Sequence, residues 1–431
     1  MILSGSIYIR ALQRRNDNLG QKLEQMEKLE AHIQEQQRKY KGIAEKQKAQ
    51  KKQIEAQEKQ MNELEGQIAE IREDLDMNTA EEDFFDAGEA ESEEITERMT
   101  DEDKTKKQDC NDGNRKSDFR TVTDYCFCLT REKVSGKGED SFFFDIDREK
   151  GIIGVFDGSG GSGAKVYPFF EGHSGAYVAS RVLAEVSRRW FSALPDDLRA
   201  CFGSKEVKKL KRWIDRYLKA CSELGSGKSM LKGNLMKEFP STLSLVLIAP
   251  WKSNALVTEF IWAGDSRGYI LDSSGLHQVT VDDIANTDAL ENLSEDAPMK
   301  NVISASHPYV LNRRTGIEQL PALIISATDG CFGYLRSPME FERFLLKTMK
   351  RSESMEQWKK EMDQLLKRIS GDDYTMCIYA AGFGSFGHMK HYFSARLQEL
   401  EQKYSCEDSG KERLLSEWKE YKLEYEAYQE N

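Results

Sequence analysis

The chain has 431 residues, room for two or three folded units and at least one sizeable core. Charged residues make up 32% and the mean hydropathy is −0.66, too polar for one compact globule, so part of the chain is expected to be solvated helix or disordered segment. Acidic residues outnumber basic ones, 74 to 62, and the net charge of −12 argues against a nucleic-acid partner, which calls for a basic surface.

The opening Met-Ile-Leu-Ser-Gly-Ser-Ile-Tyr-Ile-Arg lacks the basic start and long apolar stretch of a signal peptide, and no apolar run approaches the roughly eighteen residues that span a bilayer. A cytoplasmic protein with no membrane partner is the expectation. From 14 to 77 there is no proline, and Glu, Gln and Lys dominate. Leu19, Met26, Ile33, Tyr40, Gln47, Ile54, Met61, Ile68 and Leu75 recur at every seventh position, as a coiled-coil seam requires. A second seam, three positions on, is apolar at Leu29 and Ile43 and again at Leu64 and Ile71, but polar at Gln50 and Gln57. Residues 1–77 are therefore predicted to form a coiled-coil helix, loose in its middle, that permits self-association. Residues 78–118, with Glu81, Glu82, Asp83, Asp86, Glu89, Glu91, Glu93 and Glu94, read as an acidic disordered linker.

From 119 to 383 the texture changes to short apolar runs punctuated by Gly-Asp and Asp-Gly pairs. Strands are predicted at 121–129, 141–146, 152–156, 242–249, 257–263, 268–271, 322–327 and 374–381, and helices at 174–194, 205–224, 338–350 and 355–369. That order gives an α+β or layered α/β unit and disfavours a doubly wound parallel sheet. Residues 384–431 turn helical again. Phe393, Leu397, Leu400 and Tyr404 make one narrow seam, and Leu414, Trp418, Tyr421, Tyr425 and Tyr428 make another. These seams either dock on the unit before them or pair with the N-terminal coil. The eight cysteines form no C-x-x-C pair and read as reduced, structural thiols.

Acidic pairs sit where strands begin or end. Gly138-Glu139-Asp140 precedes Phe142-Phe143-Phe144, and Asp157-Gly158 follows Ile152-Ile153-Gly154-Val155-Phe156. Asp329-Gly330 follows Leu323-Ile324-Ile325-Ser326-Ala327, and Gly371-Asp372-Asp373 precedes Tyr374-Thr375-Met376. If these strand ends converge, the negative charges repel one another unless cations lie between them. An oxygen-only donor set with no adjacent His or Cys suits Mg²⁺ or Mn²⁺ rather than Zn²⁺.

In these residues the chain resembles the metal-dependent serine/threonine protein phosphatases of the 2C type. The resemblance runs, in order, through Gly138-Glu139-Asp140-Ser141-Phe142, Gly154-Val155-Phe156-Asp157-Gly158, His173-Ser174-Gly175, Ser241-Thr242, Gly264-Asp265-Ser266-Arg267-Gly268-Tyr269, Ala327-Thr328-Asp329-Gly330 and Asp372-Asp373-Tyr374-Thr375. It implies an α+β fold with two antiparallel β-sheets in a sandwich flanked by helices, and hydrolysis of phosphoserine and phosphothreonine in phosphoprotein substrates. It further implies two ions, Mn²⁺ or Mg²⁺, bridged by Asp157. The Gly158 carbonyl would hold one ion, Asp329 and Asp372 would ligate the second, and Glu139 and Asp140 would hold metal-bound waters. His173 matches the family's general acid.

The chain also departs from that pattern. An insertion, Ser159 to Gly172, separates Asp157-Gly158 from His173, and Phe170-Glu171-Gly172-His173 offers a rival register with Glu171 at the bridge; the apolar strand leading into Asp157 favours Asp157. Ser135 stands where the family commonly has a phosphate-clamping arginine, leaving Lys133 or Lys137 as substitutes. Gly333 replaces a further aspartate, which argues against a third metal site using Asp265. The alternative to an enzyme is a catalytically weak scaffold that binds phosphoproteins.

Overall fold

The computed structural model describes residues 123–429 apart from 148, 226–236, 252–253, 285–287, 294–298 and 405–410. The predicted coiled coil and acidic linker lie outside the described residues. The strands, in chain order, are β1 (Thr123–Arg131), β2 (Ser141–Ile146), β3 (Gly151–Phe156), β4 (Val166–Tyr167), β5 (His173–Ser174), β6 (Leu243–Trp251), β7 (Ala255–Ala263), β8 (Arg267–Leu271), β9 (Leu276–Gln278), β10 (Asn312–Gln319), β11 (Ala322–Ala327) and β12 (Tyr374–Ala381). The helices are α1 (Gly160–Gly163), α2 (Gly175–Ala193), α3 (Ser204–Gly225), α4 (Pro338–Arg351), α5 (Met355–Ile369), α6 (Phe386–Tyr392), α7 (Ser394–Lys403) and α8 (Lys411–Tyr425).

Two five-stranded sheets, ordered β1-β12-β11-β8-β9 and β10-β7-β6-β3-β2, form the centre, and neighbouring strands pair antiparallel throughout. The alternation of side chains explains why the strands read as continuous apolar runs. In β3 and β6, Ile153, Val155, Val246 and Ile248 point between the sheets, where Phe260, Ile270, Ile324 and Tyr379 meet them. Their neighbours Ile152, Phe156, Leu245 and Leu247 point outwards against Leu183, Val186 and Trp190 of α2 and Ile214 and Leu218 of α3. With both faces covered, a strand carries hydrophobic residues at successive positions rather than at every second one.

The sheet β1-β12-β11-β8-β9 is covered by α4 and α5, through Phe341, Leu345, Trp358 and Met362, and by the C-terminal helices, through Leu397, Leu400, Trp418, Tyr421 and Tyr425. The helices begin where capping residues permit. Ser337 accepts a hydrogen bond from Glu340 N ahead of Pro338, and Ser354 accepts one from Gln357 N. No helix among the described residues is long and apolar enough to cross a membrane.

The predicted strands 141–146, 322–327 and 374–381 coincide with β2, β11 and β12. β9 and β10 have no counterpart in the sequence expectations. β10 is an edge strand with the sequence Asn-Arg-Arg-Thr-Gly-Ile-Glu-Gln, half-buried over most of its length, so it carries no apolar run to read. The six cysteines among the described residues are free thiols.

Candidate metal centre

The acidic residues of the motifs converge at one end of the two sheets because each follows or precedes a central strand. Asp157 comes directly after β3, and its main chain is held from the start of β6. Thr242 N donates to the Asp157 carbonyl at 2.8 Å, Ser241 Oγ donates to the same oxygen at 2.9 Å, and Asp157 N donates to Thr242 Oγ1 at 3.2 Å. Thr242 Oγ1 also bonds Ser266 Oγ at 2.6 Å, tying the β3 end to the turn before β8. That turn needs Gly264, whose φ is +97° and whose place leaves no room for a Cβ, which would stand 2.7 Å from Thr242 Cγ2. Asp265 follows it.

Asp329 opens a single helical turn directly after β11 and Thr328. A Cβ on the next residue, Gly330, would run into the Asp373 carbonyl oxygen, so glycine allows the two loops to close on each other. Thr328 Oγ1 donates to Asp140 Oδ2 at 2.8 Å and accepts from Thr375 N at 2.9 Å. Asp373 Oδ1 accepts from Lys133 N and its Oδ2 accepts from Glu139 N, both at 2.7 Å, while Asp372 Oδ1 accepts from Asp373 N at 2.8 Å. Glu139 is gripped at the start of α2: Ser174 Oγ, from the residue that caps the helix, donates to its Oε1 and Ser180 Oγ donates to its carbonyl at 2.5 Å.

Burial and mutual repulsion raise the proton affinity of these carboxyls. Desolvation pushes Asp157 well above the usual carboxylate range, and the charges of Asp329, Asp140, Asp265 and Asp372 push it further. Desolvation likewise takes Asp140 to about 7, against the hydrogen bond from Thr328, and Asp265 to about 8, with Asp329 adding to the rise. Asp329 is raised to about 6 by desolvation and then by Asp372. Glu139 is raised by desolvation, with Ser174 and Arg181 opposing the rise and Asp373 and Asp372 adding to it.

Among the described residues no three His, Cys, Asp or Glu side chains already stand as a finished metal-binding group. The donor set nevertheless fits a hard divalent cation: it is all oxygen, it carries mutually repelling negative charge, and Asp265 Oδ1 is buried with no hydrogen-bond partner among the described residues. Each raised carboxyl binds its proton more tightly in the folded chain than in the unfolded one. That contribution to stability is fully present below the ordinary carboxylate value near 4 and is lost as pH rises through about 6 to 8. In EDTA the melting temperature is therefore expected to be lower at pH 8 than at pH 5 by roughly 5 °C or more, the size of a ~2 kcal/mol change in a body this large. Added Mn²⁺ should recover the loss at pH 8. Differential scanning calorimetry checks both; a metal-free chain more stable at pH 8 than at pH 5 contradicts the clustering.

The other residues named from the sequence fall around this cluster. Gly158, next to Asp157, is buried and bridged to Ser241. His173, in β5, stacks on Tyr177 with ring centroids 3.7 Å apart, and its neighbour Ser174 is the residue bound to Glu139. Glu171 is exposed in a left-handed turn (φ 54°), whereas Asp157 is the carboxylate that feels Asp140, Asp265, Asp329 and Asp372. Lys133 and Lys137 are exposed in the β1–β2 connection.

Arg181, which sequence reasoning missed, is half-buried on α2. It donates through Nη2 to the Gly138 carbonyl at 2.9 Å, and its guanidinium lies 3.7 Å from the Tyr177 ring centroid. With Asp140, Phe142, Ser141, Thr130, Arg131 and Glu132 it lines a cavity of about 350 Å³ beside the cluster. Arg131 is engaged with Asp363, leaving Arg181 as the lining arginine whose charge reaches Glu139. A signal was present: Tyr177 and Arg181 stand four apart on one face of α2, in the helix that opens directly after His173-Ser174. Asp373 was also missed as a clamp, being a neighbour of the aspartate singled out instead.

A family model described as Protein phosphatase 2C matches residues 131–367, more than half of the chain. No curated protein gives a significant match. Among solved structures, the chain is similar to the serine/threonine phosphatase PstP/Ppp of Mycobacterium tuberculosis, at 18% identity over 59% of this chain and 97% of that one, with a TM-score of 0.42. It is similar to Stp1 from Staphylococcus aureus at 16% identity, covering 62% and 98%, with a TM-score of 0.43. A PstP catalytic domain in complex with two manganese ions is similar at 15% identity, covering 60% and 97%, with a TM-score of 0.41.

Proposed function

The chain belongs to the protein phosphatase 2C family, and on that premise we propose that it hydrolyses phosphoserine and phosphothreonine in proteins with the help of two divalent cations, Mn²⁺ or Mg²⁺. The observation that supports this reading is the convergence of buried, mutually repelling carboxylates at one end of the sandwich, with an oxygen-only donor set. In this reading Asp157 and the Gly158 carbonyl, Asp329 and Asp372 hold the ions, and Glu139 and Asp140 hold water around them. Two cations bound there would acidify a shared water and offset the charge of the phosphate.

The chain's own residues do the rest. Ser241 and Thr242 fix the Asp157 main chain, and Thr328 fixes the Asp140 carboxylate, so that the donors do not have to reorganise when substrate arrives. In this reading His173, in β5 and stacked on the Tyr177 ring, gives a proton to the departing serine or threonine oxygen. The cavity beside Asp140, with Phe142 and Arg181 in its wall, accommodates the segment around the phosphorylated residue. The N-terminal residues 1–77 serve in this proposal to localise the enzyme or join copies of it.

The full chain with Mn²⁺ is expected to release phosphate from a phosphothreonine peptide, and EDTA should cut the rate by ~100-fold or more. Malachite-green phosphate detection reads the result. A chain that is folded by circular dichroism yet shows no metal-stimulated release overturns the reading, and peptide binding that persists in EDTA would favour the scaffold instead.

A further inference from the structure

Helix α8 lies beyond the residues matched by the family, which end at 367, yet a run of hydrogen bonds leads from it to Arg267, two residues along the chain from Asp265 of the candidate metal centre. Tyr425 Oη donates to Gln278 Oε1 at 2.9 Å, and Gln278 Nε2 donates to Asp282 Oδ1 at 3.0 Å. Arg267 grips Asp282 with both ends of its fork, Nε to Oδ1 at 3.0 Å and Nη2 to Oδ2 at 2.6 Å. Every member of this run is nearly enclosed, with Tyr425 1%, Gln278 2%, Arg267 2% and Asp282 7% exposed. Arg267 is two residues from Asp265, and its positive charge acts on both Asp265 and Asp329. The residue between them, Ser266, bonds Thr242, which in turn holds the main chain of Asp157.

The same segment closes over the β9 stretch at several other points. Trp418 Nε1 and Lys422 Nζ donate to Asp288, the latter at 2.8 Å, and Gln429 Nε2 donates to the Gln278 and Thr280 carbonyls at 3.2 and 3.1 Å. His277 Nδ1 lies 2.6 Å from the Glu424 carbonyl oxygen. These contacts explain why the tail stays docked, but the Tyr425 bond does something further. An amide can present either its oxygen or its nitrogen. By donating to Gln278 Oε1, the tyrosine fixes the amide from its other end while the NH₂ bonds Asp282; without that donor the amide keeps one of its two orienting bonds and holds Asp282 less firmly.

We propose that α8 is a positioning element for the metal centre, with Tyr425 acting through Gln278, Asp282 and Arg267 to hold Asp265 and, by way of Ser266 and Thr242, Asp157. The proposal rests on the phosphatase reading of the site. It makes the C-terminal segment a device by which anything that lifts α8 lowers metal affinity at a distance, without touching a ligand.

Calorimetric titration of the full chain with Mn²⁺, beside its melting curve and its turnover of para-nitrophenyl phosphate, tests this. Tyr425→Phe and Gln278→Ala are each expected to raise the Mn²⁺ dissociation constant by about threefold to tenfold while the chain still unfolds cooperatively. The double variant should be no worse than either single one, because both break the same run. Tyr421→Phe supplies the control: its hydroxyl bonds Glu342 Oε2 at 2.6 Å, away from that run, so it should lower the melting temperature and leave Mn²⁺ affinity alone. The proposal is overturned if Tyr425→Phe binds Mn²⁺ as the parent does, or if Tyr421→Phe weakens binding equally. A parent chain that takes up no Mn²⁺ overturns the underlying reading of the site itself.

Discussion

Asp157→Asn is expected to reduce metal-stimulated phosphate release by ~10³-fold or more in kcat/KM, because the carboxylate proposed to bridge both cations becomes a neutral amide. The same substitution should stabilise the metal-free chain. In the parent, Asp157 is pushed up by desolvation and then by four neighbouring aspartates, so its negative form is the strained one. Asparagine keeps the shape and removes the charge. The Ser241 and Thr242 bonds go to the Asp157 main chain and survive the change. The gain should be visible in EDTA at pH 8 and should vanish near pH 4, where the parent carboxyl is already protonated. Loss of turnover combined with a higher metal-free melting temperature separates a functional effect from a folding defect. If Asp157→Asn retains metal-stimulated turnover, Asp157 is not the bridge, and the rival register through Glu171 returns.

Why were the acidic pairs legible from the sequence while their supports were not? β3, β11 and β12 are buried at every position, so each writes an unbroken apolar run, and the acidic residue at its end stands out by contrast. Such local contrast survives in one dimension. The grip of Thr328 on Asp140, 188 residues apart, leaves no trace along the chain, nor does that of Asp373 on the Glu139 amide, 234 residues away. β10 failed for the opposite reason to β3: at a sheet edge one face meets solvent, and its polar residues look like a loop. In the C-terminal tail, the spacing of Trp418, Tyr421 and Tyr425 marked an apolar stripe without saying what it would cover. The structure packs that stripe against Tyr269 of β8 and Phe341 of α4, alongside α7.

A buried ion pair beneath that stripe also escaped notice, since Glu342 and Arg396 look like ordinary charges on amphipathic helices. Glu342 is fully enclosed and Arg396 nearly so, and they meet through two hydrogen bonds, Nε to Oε1 at 2.7 Å and Nη2 to Oε2 at 3.1 Å. Tyr421 Oη adds a third bond to Glu342, so one carboxylate joins α4, α7 and α8. Arg396→Met removes the cation and leaves a negative charge with no solvent to receive it. The expected cost is about 3–5 kcal/mol of folding stability, read as a lower urea midpoint. The double change Glu342→Leu with Arg396→Met should recover most of that loss, since two apolar side chains of similar volume need no partner. Should Arg396→Met alone be nearly neutral, the pair is not enclosed as described, and the tail is held by its aromatic stripe instead.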